Sequence, residues 1–182
     1  MTQSHRLREQ TISAKAQWEL QLKELLDSMS NLAFVGVGHP FRGDDYVGSF
    51  IAKRIVEATD GTLPENVYVF DAEDDVENLI GRLSRLGLQH VVFIDACEMR
   101  GKPGEINLLS VAETNYPFFT THGIPLKVLA EQLLKGCQVW LLAIQPKEMN
   151  FDEDLSPELH DAASHVSNFI LSNLMEGVEE IV

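Results

Sequence analysis

LAFVGVGHPFRGDDYVG, residues 32–48, starts as an apolar run and ends in a glycine-rich loop that carries two adjacent carboxylates. The run has the composition of a buried β-strand, and the loop after it sets Gly38 and Gly43 at the G-x-x-x-x-G spacing of a phosphate cradle. Asp44 and Asp45 then stand where such a cradle places Lys and Ser or Thr. The dinucleotide fingerprint G-x-G-x-x-G fails as well, because Phe41 fills its third glycine position. Carboxylates at a strand end repel phosphate, so the loop collects a cation.

Outward from this stretch, short β-rich runs alternate with helical patterns: LAFVGVG, then Val47 to Ala58, VYVFDA, Val76 to Leu86, and HVVFIDA. Strands too apolar to have a wet face, separated by helices, predict an α/β fold. The expectation is a three-layer α/β/α sandwich with a mainly parallel sheet of about five strands. KPGEINLLS reads as a turn into a short strand, antiparallel at an edge, and VWLLAI as a buried strand. Pro125 suits the first turn of a helix carrying Leu126, Leu129, Ala130 and Leu133 inward. Ser156 and Pro157 open a last helix whose stripe is Leu159, Ala163, Val166, Ile170 and Leu174, before Gly177. Ahead of all this, Trp18, Leu22, Leu25, Leu26 and Met29 recur at helical spacing. Residues 1–30 are read as an N-terminal helical extension and 31–182 as a single domain.

The 182 residues are 45% hydrophobic, enough for one substantial core. Against 28 Asp and Glu there are 14 Lys and Arg, a net charge of −14 that disfavours nucleic acid and anionic membrane as partners. No apolar run of about 18 residues is present, so no membrane insertion is expected. MTQSHRLREQ lacks the basic-then-apolar pattern of a secretory leader, and the expected location is cytoplasmic. Cys97 and Cys137, without C-x-x-C pairing, indicate neither a disulfide framework nor a zinc knuckle.

Ligands in an open α/β sheet bind beyond the carboxyl ends of its strands. Three metal-ligating residues fall there: Asp45 after the first strand, Asp95 at the end of HVVFI, and His122 in the loop before Pro125. Two carboxylates and an imidazole leave coordination positions open and suit zinc, nickel or another divalent ion. Each residue has a plainer role too. Asp44 or Asp45 could cap the helix beginning near Tyr46, and His122 could be a hydrogen-bonded structural histidine. Asp95, ending an apolar strand, must find a cation or several donors. Cys97 is read as a small buried thiol rather than a nucleophile, and Gln145 as a strand-end amide that orients substrate backbone.

GVGHPFRGDDYVG, FIDACEMRGKPGEI, FFTTHGIPLKVLAEQL and AIQPKEMNFDEDLSPEL, in this order and spacing, resemble the signature segments of the hydrogenase maturation endopeptidases of nickel-iron hydrogenases. TTHGIPL and AIQP are most similar to the branch serving hydrogenase-3-type and membrane-bound hydrogenases. The resemblance implies a protease that removes the C-terminal extension of a hydrogenase large-subunit precursor after nickel insertion. It implies Asp45, Asp95 and His122 as the catalytic and metal-binding residues, with nickel carried in by the substrate and zinc or another divalent ion able to take the same site. A nickel-loaded precursor is then the partner. A non-cleaving protein that senses metal or binds precursor is the alternative on the same fold. The chain departs from the family pattern at His39, where the family has Asn, and at DAEDDVE, where it has an Asp-Gly-Gly-Thr-like turn. His39 is a candidate fourth ligand or a surface imidazole. The acidic run from Asp71 to Glu77 is a candidate contact for basic substrate or a solvated helix start.

Overall fold

The computed structural model describes residues 17–28, 30–113, 120–121, 124–125, 128, 135–147 and 154–179. A helix, α1, spans residues 17–27. The strands are β1 (Leu32–Val37), β2 (Val67–Glu73), β3 (His90–Ala96), β4 (Ile106–Ser110), the short pair β5 (Thr120–Thr121) and β6 (Ile124–Pro125), and β7 (Gln138–Ile144). The further helices are α2 (Val47–Ala58), α3 (Val76–Leu83) and α4 (Pro157–Glu179), and a 3-10 turn at Gly43–Tyr46 leads into α2.

Five strands form one sheet in the order β2-β1-β3-β7-β4. The first four run parallel, with Phe34 opposite Val92 and Asp95 opposite Ala143, and β4 closes the edge antiparallel to β7. The chain leaves β1 toward β2 on one side and returns to β3 on the other, so a crevice opens between the carboxyl ends of β1 and β3.

Alternation along the strands explains the layering. Phe34, Val92, Ile94, Leu142 and Ile144 point to the face covered by α1, α2 and α4. Their neighbours Ala33, Val35, Val91, Phe93 and Leu141 point to the face where α3 packs through Val76, Ile80 and Leu83. Both faces being buried, the strands read as continuous apolar runs. The whole predicted stripe of α4, Leu159 to Leu174, is buried, and the helix continues past Gly177 to Glu179. Trp18, Leu22 and Leu25 of α1 belong to the same core, and Trp18 meets Phe169 edge-on at 5.2 Å. Each such side chain, fully buried, contributes about 1.5–3 kcal/mol.

Two helix limits differ from the sequence expectation. Helix α3 ends at Leu83, because Arg85 and Leu86 bond back only three residues, to Arg82 and Leu83, and continue as turns. Pro125 lies in β6, opposite Thr120, rather than in the first turn of a helix. A proline suits a short edge strand, which does not need its missing N–H. Val128 is helical, whereas Leu126, Leu129, Ala130 and Leu133 lie outside the described residues. None of the described helices is long and apolar enough to cross a membrane.

Candidate active site

The loop that follows β1 is held by close backbone approach. A side chain at Gly38, whose φ is +132°, would sit 1.8 Å from the carbonyl oxygen of Asp45. One at Gly48 would sit 1.9 Å from the carbonyl oxygen of Ile94. Glycine at these positions lets the loop fold back onto the end of β1 and brings the start of α2 against β3. The Gly38 N–H donates to Glu73 O (2.7 Å), and the buried Ser49 hydroxyl donates to Gly38 O (2.7 Å). The doublet is thereby carried to the β1–β3 crevice.

The two carboxylates then part. Asp44, 2% exposed, accepts from Lys147 N (2.8 Å), Ser156 N (2.7 Å) and the Ser156 hydroxyl (3.1 Å). It is a cap, though of a different helix from the one the sequence indicated: it sits at the start of α4, whose positive dipole end favours it. It also ties the segment after β7 to the same point. Asp45, also buried, lies beside Asp95 at the end of β3. Burial, and after it the charge of Asp45, holds the Asp95 carboxyl well above the usual carboxylate range; the Ala96 N–H, which Asp95 accepts, acts the other way. A buried carboxyl held up in this way keeps its proton unless a cation takes its place.

His122, the third residue of the expected set, lies outside the described residues. Among the described residues no three His, Cys, Asp or Glu side chains form a metal-holding group. His39 accepts the Phe41 N–H at Nδ1 (3.2 Å), and its ring lies against the exposed Phe41. Burial pushes the Cys97 thiol well up, and the charges of Asp95 and Asp45 push it further, which keeps it protonated and unreactive. In the acidic run, Asp75 caps α3 by accepting Asn78 N (3.3 Å), and Asp71 pairs with Lys53 (3.1 Å). The helix-start reading of that run therefore accounts for Asp75.

Gln145 has a role the sequence did not reveal. Its side-chain oxygen accepts from Met99 N (2.7 Å) and Gly101 N (3.1 Å), and its amide donates to Glu98 Oε2 (3.1 Å) and Pro146 O (3.0 Å). Glu98 accepts Arg100 N with its other oxygen (2.8 Å), and Glu105 accepts Lys102 N (3.2 Å). The amide read as reaching for substrate is committed to the chain itself, stitching the loop that follows Asp95.

Residues 53–173 match the hydrogenase maturation protease family; the match includes Asp95 and His122 and begins downstream of Asp45. The chain is 31% identical over 132 residues to the hydrogenase 3 maturation protease of Escherichia coli K12, covering 71% of this chain and 82% of that one. Its fold superposes on the crystal structure of a [NiFe] hydrogenase maturation protease HycI from Thermococcus kodakarensis with a TM-score of 0.73, at 25% identity, over 85% of this chain and 98% of that one. The solution structure of an endopeptidase HycI from Escherichia coli gives 0.65 at 27% identity, over 78% and 90%.

Proposed function

The chain belongs to the hydrogenase maturation protease family, and from that membership we propose that it removes the C-terminal extension of a hydrogenase-3-type large-subunit precursor once nickel has been inserted. It is a hydrolase of peptide bonds, and the step consumes one water and releases the extension as a peptide. The observation that carries the site is the meeting of Asp45 and Asp95 at the β1–β3 crevice, where burial and like charge make a bare carboxylate pair unfavourable.

A divalent cation fits this donor set, because the Asp95 carboxyl, held up by burial and by the charge of Asp45, gains when a cation replaces its proton. In the proposed reaction that cation is the nickel the precursor brings, held by the precursor's own cysteines. Asp45 and Asp95, with His122 as third ligand, take up its open positions and fix the adjoining C-terminal segment in place. The nickel supplies Lewis acidity to the peptide carbonyl or to the attacking water. Zinc or another divalent ion in solution would compete for the same three groups.

The test is cleavage of purified precursor, followed by the C-terminal mass of the large subunit. Nickel-loaded precursor should be shortened and nickel-free precursor should not. Equal rates for the two would remove nickel recognition while leaving the protease. Asp95→Asn, which keeps the size and loses the charge, should abolish processing of loaded precursor.

A further inference from the structure

We propose that the groove between the start of α2 and the start of α4 binds a segment of the precursor that carries an Arg or Lys side chain. The groove holds about 480 Å³, within the range of specific ligand sites (~300–1,000 Å³). Tyr46, Phe50, Leu155, Pro157 and His160 line it with ring and aliphatic surface. The rings make a continuous row, Tyr46 to Phe50 at 6.1 Å edge-on and Phe50 to His160 at 5.9 Å. Asp154 and Asp161, both exposed, also line it, and among the described residues no Lys or Arg does. Among the described residues neither carboxylate has a Lys or Arg partner, the nearby Glu158 being paired with Lys147.

This combination selects the occupant. Two exposed carboxylates alone hold a free cation weakly, and an apolar wall alone selects no charge. A side chain with an aliphatic stem and a cationic head uses both, packing its stem on the rings and its head on the carboxylates. Tyr46 already carries an ammonium against its ring, Lys53 Nζ at 5.2 Å, and that lysine is anchored away from the groove on Asp71. The groove also continues the site. Tyr46 follows Asp45 in the chain, and Leu155 precedes Ser156, which is bonded to Asp44. A precursor seated on Asp45 and Asp95 has this groove as its next surface, and the chain's net charge of −14 favours a cationic segment there. The inference rests on the protease reading for the identity of the occupant, though not for the binding.

The experiment uses the full chain without precursor or metal. A capped hexapeptide of alanine and leucine with one central arginine is titrated against the citrulline version, which has the same shape without the charge, while the ring signals of Tyr46, Phe50 and His160 are followed by NMR. The arginine peptide should give saturable shifts on these rings, with an affinity about fivefold or more above citrulline. Asp154→Asn with Asp161→Asn, two exposed changes checked for folding by circular dichroism, should erase the difference. Equal affinities, shifts centred elsewhere, or no shift up to about 10 mM peptide would overturn the site. With nickel-loaded precursor, the double variant should raise KM about fivefold or more and keep kcat; an unchanged KM would show that the precursor does not use the groove. The peptide titration involves no cleavage, so its failure leaves the protease reading intact. Failure of wild-type cleavage would likewise leave the peptide site standing.

Discussion

Removing the Asp44 carboxylate would leave the Lys147 and Ser156 N–H groups facing an apolar gap. Asp44→Ala is therefore expected to destabilise the fold by about 3 kcal/mol, the range for buried hydrogen bonds to a charged acceptor, measured by urea unfolding. Asp95 should behave in the opposite sense. Its carboxyl is held up by burial and by Asp45, so the native state binds a proton that the unfolded chain has already released. That contribution is fully present below about pH 4, the unfolded value, and is lost as pH rises through the raised folded value. In metal-free protein, Asp95→Asn should thus gain stability over the wild type as pH increases, at about 1.4 kcal/mol for each unit by which the native carboxyl is raised. Thermal melts of both proteins from about pH 4, the unfolded value, upward check it; curves that stay parallel would refute the coupling. The sequence reading placed Asp45 among the metal ligands and left either Asp44 or Asp45 able to cap the next helix. What separates them is partners 103 and 112 residues away, Lys147 and Ser156, which no local pattern announces.

At the scale of elements, the strands were legible because both sheet faces are buried and apolar runs of the right length have no other use here. The antiparallel edge strand and the α4 stripe were legible for related reasons, a glycine-proline turn in one and a 3.6-residue period in the other. The loops were less so. The segment from Cys97 to Glu105 depends on Gln145, an amide whose identity says nothing about which way it faces. Gly48 makes the junction of α2 and β3 testable. Gly48→Ala places a methyl group 1.9 Å from Ile94 O and 2.4 Å from Val37 O, both main-chain atoms with little freedom to give. The variant should lose about 3 kcal/mol or more, or fail to fold. Gly61→Ala, with nothing within 4 Å of the added carbon, is the matched control; its φ of +71° confines the cost to about 1–2 kcal/mol of local strain.

At the scale of the molecule, α1 is built into the core shared with α2 and α4, with Glu19 bonded to His165 (2.6 Å) and Lys23 to Asn173 (3.2 Å). Trp18→Ala should cost about 3–5 kcal/mol while kcat at low temperature stays near wild type, since Trp18 lies beside Ser110 and Trp140, away from the proposed site at Asp45 and Asp95; a fall in kcat without a fall in the melting temperature would contradict that separation. Asp44 has a consequence of another kind. The carboxylate emerges from the ribosome early, and its anchor Ser156 emerges 112 residues later, roughly 5 to 20 seconds at ordinary elongation rates. Until then Asp44 lacks its two Ser156 donors, so the proposed site beside it is not fully braced in the nascent chain. A chain stopped at residue 147 should stay inert toward loaded precursor, and supplying the missing C-terminal piece in trans should restore cleavage only to the extent that it docks.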